Sequence, residues 1–284
     1  MKGALNENTV FATVAMARQA SHALLIVVEG DDDHFILKDH LNHHDVVLIA
    51  GNGGKGNVLR AASLADARKV GGVRFLVDSD LDRFVSPPVQ YPANVLVSTT
   101  HDVVTDLLFQ SPIQVEKIID SHSRKARRKG VQFSTSAVWA EACELAAALA
   151  PLRIVNERHG YGLNFQDFPF GKVSDLPASN SSLSEIAVSR SNTSLTATDL
   201  SGMVDAETSH KDIEIKYLFG DHDFFGALGR VLKSKGVHAS SDSLVTTFLA
   251  GILCSHLTST DWCGSLASWG ERYGRKLFVC PCAT

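Results

Sequence analysis

The sequence predicts an α/β fold, a mainly parallel sheet flanked by helices, followed by a mainly helical C-terminal region. Three observations predict it. Residues 24–28, 46–50 and 73–77 are short apolar runs that alternate with stretches of helical periodicity, as in βα units. The first and third of these runs stop abruptly at acidic residues, which is how a strand buried on both faces leaves its core. Beyond about residue 112 the pattern changes to longer helical stretches. Two domains are therefore expected: 1–112 carrying the sheet, and 113–284 mainly helical, serving substrate or partner binding or dimerisation.

The elements follow in order. Residues 9–20 carry a helical apolar pattern ahead of the first strand, and 33–41 read as the helix after it. The second strand, 46–50, runs into the turn Gly51-Asn52-Gly53-Gly54-Lys55-Gly56 and a helix over 57–69. The third strand delivers Asp78. Pro87, Pro88 and Pro92 mark a loop before a fourth strand at 94–98, which leads to a helix at 103–109. Helical patterns recur at 115–121, 137–150, 223–233, 243–256 and 263–273, while 151–177 is poorly periodic. The stretch 179–201, rich in Ser, Asn and Thr, reads as a linker or mobile loop. There is no internal repeat.

A net charge of −4 over 284 residues excludes a uniformly basic nucleic-acid binder and leaves room for a local basic patch. Five cysteines suggest no disulfide framework, and the opening MKGALNENTV lacks the apolar core of a signal peptide, so a cytoplasmic protein is expected. No apolar run approaches the ~18 residues of a membrane span, and no membrane partner is expected.

The strongest chemical signal is acidic. Residues 29–33 follow the first strand, and Asp78, Asp80 and Asp82 follow the third. Carboxylates at strand carboxyl ends project into the crevice where open α/β sheets hold ligands, and crowding them costs repulsion unless a cation offsets it. Hard oxygen donors suit Mg²⁺ or Mn²⁺. Glu29, Asp78, Asp80 and Asp82 are the candidate ligands, and Glu29 is also a candidate general acid/base. On an extended segment Asp78 and Asp80 would point the same way and share a metal. A metal there could polarise a phosphodiester and activate water. Asp31 and Asp32 read equally well as turn or helix-cap residues.

A second motif competes. Gly51-x-Gly53-x-x-Gly56 follows a strand, precedes a helix and has Asp78 about 20 residues on, matching the letter of a dinucleotide-binding fingerprint. It leaves Glu29, Asp80 and Asp82 without a role, and a plain tight turn explains it as well. It is not a Walker A loop, because Gly56 follows Lys55.

Lys117, Arg124, Lys125, Arg127, Arg128 and Lys129 form a basic run that is either solvated surface or a phosphate-neutralising patch for nucleic acid. Lys55, inside the glycine turn, is a further candidate for nucleic-acid contact. Cys254, Cys263, Cys280 and Cys282 could ligate zinc, but no Cys-x-x-Cys pair exists and a buried thiol is ordinary. His34, His40, His43 and His44 read as surface residues around a helix end.

The segments TVFATVAMARQ, VEGDDDHF, AGNGGKGNVL, FLVDSDLDRF and STTHDVVTDLLF, in this order and spacing over about residues 9–112, resemble the Toprim domains of OLD-like nucleases. More narrowly they resemble the uncharacterised-domain family that includes the nuclease effector of the PARIS anti-phage system. Phe219-Gly220-Asp221-His222-Asp223 resembles a Gly-His-Asp motif of that family, with an extra Asp. The resemblance implies a Toprim-like fold in which Glu29 is the catalytic acid/base and Asp78 and Asp80 bind Mg²⁺. In the fourth motif Thr99 and Val104 stand where relatives carry acidic residues, which depletes a second metal site. Asp106 could compensate only through a helix shift. His101 and Asp102 remain, Asp102 as a metal ligand and His101, with Asp33, as a catalytic candidate.

The expected function is Mg²⁺-dependent hydrolysis of phosphodiester bonds in RNA, such as tRNA, or DNA. The resemblance adds anti-phage defence by abortive infection, a partner ATPase of SMC/ABC type and a homodimer. A catalytically silent Toprim adaptor and a dinucleotide-binding oxidoreductase are the alternatives.

Overall fold

The structure, a computed structural model, describes residues 7–280. The chain forms two compact units. One contains the chain through Ser79, then Gln90–Gln110 and the segment from Ile252 onward; the other contains Asp80–Val89 and Ser111–Gly251. The chain passes from the first unit to the second at 110/111 and returns at 252, so the final helices belong with the sheet rather than with the helical unit.

In the sheet unit, β1 (Leu24–Val28), β2 (Val46–Ala50), β3 (Val73–Val77) and β4 (Val95–Val97) form one parallel sheet in the order β2-β1-β3-β4. Parallel strands need crossover connections, and α1 (Glu7–Ala20), α2 (Asp31–Lys38), α3 (Gly54–Ala67) and α4 (Val103–Gln110) lie between or beside them in sequence. All five residues of β1 are buried, which explains its uninterrupted apolar run.

The two faces are built by alternation. Leu25, Val27, Val73, Phe75 and Val77 pack with Val10 and Val14 of α1 and Val58, Ala61 and Ala65 of α3 in one core cluster. The remaining side chains Leu24, Ile26, Val28 and Leu76 are buried too, outside that cluster, as are Ile36 and Leu37 of α2 and Leu107 and Leu108 of α4. The sheet is thus flanked on both faces.

The C-terminal segment completes this unit. After α12 (Cys254–Thr258) and α13 (Asp261–Glu271), Phe278 forms an antiparallel bridge with Leu41. The Val279 N–H donates to the His40 carbonyl at 2.9 Å and the Asn42 N–H to the Leu277 carbonyl at 2.7 Å.

The second unit is helical: α5 (Pro112–Arg128), α6 (Thr135–Ala147), α7 (Ala150–His159), α8 (Asn180–Ser189), α9 (Ala197–Ala206), α10 (Asp221–Ser234) and α11 (Ser241–Ala250). Its core gathers around α10, which packs on α6 and α11. Phe224 meets Trp139 at 4.9 Å between ring centroids and Phe225 meets Phe248 at 5.7 Å.

Two expectations are corrected here. The Ser/Asn/Thr-rich stretch is not a linker: it folds as α8 and the start of α9, and its polar residues are caps. Ser179 Oγ accepts from the Ser182 N–H at 3.2 Å and Thr196 Oγ1 from the Asp199 N–H at 3.1 Å, while Leu183, Ala187 and Leu200 are fully buried. The helix expected at 243–256 breaks after Ala250 and restarts at Cys254. Among the described residues no helix is long and apolar enough to cross a membrane.

Candidate metal and acid–base site

The strand order sets the site. From β1 the chain moves to β2 on one side, and β3 then pairs on the other side of β1. The carboxyl ends of β1 and β3 therefore flank the switch point, where the loops diverge and leave a crevice. Glu29 is the first residue after β1 and Asp78 the first after β3. Strand register alone brings these two sequence-predicted residues together.

Both carboxylates are held by backbone donors. Glu29 Oε1 accepts from the Lys55 N–H at 2.9 Å, in the first turn of α3, and Oε2 from the Asp78 N–H at 3.4 Å. Asp78 Oδ1 accepts from the Val103 N–H at 3.1 Å, the first residue of α4. Helix N-termini carry unpaired N–H groups and the positive end of the macrodipole, so each carboxylate is seated on an anion-favouring helix end.

The glycine turn has a packing explanation. A Cβ on Gly51 would lie 2.5 Å from Val58 Cγ2 and 3.0 Å from the Val28 carbonyl oxygen, so only glycine lets the turn after β2 close over the end of β1. The turn's helix N-terminus is engaged by Glu29. Lys55, the candidate for nucleic-acid contact, donates from Nζ to the Ser79 carbonyl at 3.1 Å and lies 5.9 Å from the Tyr91 ring centroid. Its charge sits beside the end of β3.

Asp33 is buried, and its Oδ2 accepts from the Gly30 N–H at 3.1 Å, closing the first turn of α2. Desolvation pushes its carboxyl up to about 7, against the pull of that N–H, and the negative charges of Glu29, Asp102 and Asp32 add to the rise. Asp33 therefore exchanges its proton near neutrality, as an acid–base group must. Asp31 and Asp32 are exposed in the same helical turn.

His101 and Asp102 are both buried, with His101 Nδ1 3.5 Å from Asp102 Oδ2. Asp102 Oδ1 also accepts from the Thr105 N–H at 2.6 Å. Asp106 does not replace the missing acids. Its oxygens take the N–H groups of Thr99 at 2.9 Å and Thr100 at 2.7 Å and the Thr100 hydroxyl at 2.6 Å, binding the turn before α4. Burial raises its pKa, partly offset by those hydrogen bonds. Val104 is buried in the core. Beside these groups, the Ser79 N–H donates to Ser98 Oγ at 2.8 Å and the Ser79 hydroxyl donates to the Thr100 carbonyl, bracing the ends of β3 and β4 together.

The expected extended pair of Asp78 and Asp80 is corrected. Asp80 has φ 49°, in the left-handed region that Asp tolerates better than most residues, and Asp82 opens a 3₁₀ turn, Asp82–Phe84. The i, i+2 alternation is lost, and Asp80 and Asp82 belong to the segment of the second unit. Within the sheet unit, among the described residues, no three metal-ligating groups bring ligand atoms within 4.8 Å of one another. The local donor set is thus one or two carboxylates, which is the number Mg²⁺ takes when waters and substrate phosphate fill its other positions.

The remaining candidates divide. Arg124, Lys125, Arg127 and Arg128 are exposed on α5, and Lys129 follows as its cap. Arg127 is partly committed, to Asp120 at 3.0 Å and over the Phe133 ring at 4.7 Å. His40, read as a surface residue, is buried with Nδ1 3.3 Å from Cys254 Sγ, a pairing across 214 residues. Cys263 is buried in α13 with its thiol pushed up to about 12 by burial, Cys280 is exposed, and Cys282 lies outside the described residues. In the Gly-His-Asp stretch, Asp223 forms a 2.8 Å ion pair with Arg153.

The backbone donors at Lys55 and Val103 were missed at the level of sequence. The signal available was the start of a helical pattern directly after each glycine- or threonine-rich turn. The chain was compared with models of known families and with curated proteins, and nothing matches in either comparison.

Proposed function

We propose that this protein is a Mg²⁺-dependent phosphodiesterase acting on nucleic acid, with a Toprim-like sheet unit as its catalytic part. The observation that carries the reading is the pair Glu29 and Asp78, set at the ends of adjacent parallel strands at the switch point and each seated on a helix N-terminus. The donor chemistry fits a hard cation: Asp33 rises towards neutrality partly because Glu29, Asp102 and Asp32 crowd negative charge around it, and a divalent ion would offset that charge. Asp78 and Glu29 would hold the ion, with Asp102 as a further candidate. Such an ion polarises a phosphodiester and lowers the pKa of bound water.

The chain's own residues supply the rest. Glu29, held by two backbone N–H groups, would take a proton from the attacking water. Asp33 and His101 are the candidate donors to the leaving oxygen, Asp33 because half of it is protonated at about pH 7. The exposed basic residues of α5 give the helical unit a surface that suits phosphates.

The resemblance extends the proposal to a cytoplasmic, homodimeric effector of ATPase-coupled anti-phage defence, with tRNA as one candidate substrate. A catalytically silent adaptor is the second reading, favoured by Thr99, Val104 and the structural use of Asp106. The test is to express wild type, Glu29→Ala and Asp78→Ala with and without a neighbouring ATPase gene and to examine total RNA and DNA. Fragments from wild type alone support the nuclease and identify its substrate. Intact nucleic acid in every case supports the adaptor.

A further inference from the structure

A second feature lies at the opposite ends of the strands. Arg74 is the second residue of β3, about 13 Å along the strand from Asp78. It faces a groove of about 960 Å³ whose other wall is α13. That wall is one helix face: Asp261, Gly264, Ser265, Ser268 and Arg272 fall at i, i+3, i+4, i+7 and i+11. The adjoining face of α13 buries Trp262, Leu266 and Trp269 in the unit.

Two guanidinium-bearing residues, Arg74 and Arg272, line this groove, close enough for the charge of one to act on the other. Arg74 lies 5.7 Å from the Trp269 ring centroid and spends one N–H on the Ala93 carbonyl at 3.2 Å. Arg272 is exposed; its backbone N–H caps α13 on the Gly270 carbonyl, and among the described residues its side chain makes no hydrogen bond or ion pair. Burial lowers the pKa of Arg74, and the neighbouring Arg272 charge lowers it further. The carboxylate of the groove, Asp261, is eleven residues from Arg272, about 16 Å along the helix axis, too far to offset the Arg272 charge. Like charges so arranged are costly unless an anion bridges them. The planar forks of two arginines match tetrahedral phosphate oxygens. Ser268 and Ser265 stand one and two turns from Arg272 on the same face and add hydroxyl donors.

We propose that this groove is a phosphate-binding site in which Arg74 and Arg272 clamp a phosphate of a free nucleotide or of a nucleic-acid strand, with Ser268 and Ser265 donating from α13. The inference does not rest on the nuclease reading, since it uses none of the acidic residues.

The test uses the full chain in buffer without divalent metal, so that no probe is consumed. ADP is titrated by calorimetry and a fluorescein-labelled 12-nucleotide single-stranded RNA by anisotropy, against wild type, Arg272→Gln and Arg74→Gln. A charge-assisted hydrogen bond is worth enough for a loss of about tenfold or more in affinity. We expect Arg272→Gln, an exposed change that leaves the core alone, to produce that loss for at least one probe. Loss for ADP identifies a free nucleotide, and loss for RNA alone identifies a strand. No binding of either probe to wild type, or less than tenfold loss for both in Arg272→Gln, overturns the proposal. Cleavage is not read in this experiment, so a failed nuclease assignment leaves its outcome intact.

Discussion

Glu29 and Lys55 are joined through the main chain of Lys55: its backbone N–H donates to the Glu29 carboxylate at 2.9 Å, while the Lys55 ammonium turns to the Ser79 carbonyl. A side chain at position 55 can change without removing the donor that fixes Glu29. Lys55→Ala is therefore expected to keep the carboxylate in place and to reduce phosphodiesterase activity by no more than about tenfold, through the lost charge beside Asp78.

Glu29→Gln keeps an oxygen for the Lys55 N–H and removes the charge and the base. Cleavage of labelled RNA or DNA in Mg²⁺ is expected to fall by about 10² to 10⁴, the range of a general base, with an unchanged melting temperature. Retained cleavage would remove Glu29 from the mechanism.

Asp33 makes stability depend on pH with a definite sign. Its carboxyl titrates at about 7 in the fold against 3.8 ordinarily. Between those values the folded chain holds a proton that the unfolded chain has released, so stability falls as pH rises from about 4 to about 7 and then levels. Asp33→Asn lacks this slope. It is expected to match wild type at pH 4 and exceed it at pH 8 by about 1–3 kcal/mol, several degrees in melting temperature. Mg²⁺ should raise the wild-type value at pH 8 more than at pH 4. A parallel pair of pH profiles would contradict the assignment.

Gly51→Ala tests whether the glycine turn is a packing device. The added Cβ meets Val58 Cγ2 at 2.5 Å and should cost about 1–3 kcal/mol by urea denaturation. Val58→Ala in the same chain should recover part of it, because the side-chain clash is removed and only the 3.0 Å approach to the Val28 carbonyl remains. Equal costs in both backgrounds would move the strain to the backbone.

A fragment ending at residue 112 is expected not to fold cooperatively. It lacks α12, α13, the Leu41–Phe278 bridge and the 2.7 Å Arg275–Asp45 ion pair. Circular dichroism melting of the fragment beside the full chain checks this, and a cooperative transition in the fragment would show that the sheet and its first four helices suffice.

The strands were legible in the sequence because a parallel strand buried on both faces leaves an uninterrupted apolar run, as Leu24–Val28 does. Glu29 and Asp78 were legible for the same reason, standing where such runs end. The extended reading of Asp80 failed because its positive φ is a choice among backbone wells that an aspartate side chain does not reveal. Ser179 and Thr196 were misread because the residues that favour loops also cap helices, and only the buried Leu183 and Leu200 behind them decide. The contact of His40 with Cys254 spans 214 residues, beyond the reach of any local pattern.

The sheet unit takes its last helices and its bridging segment from beyond residue 252, after the whole helical unit has intervened. On a ribosome, the strands that precede Glu29 and Asp78 are made first, yet α13 reaches β4, α12 reaches α4 and Phe278 reaches Leu41 only after most of the chain has been made. A truncated translation product would therefore carry both carboxylates on an unfinished sheet unit.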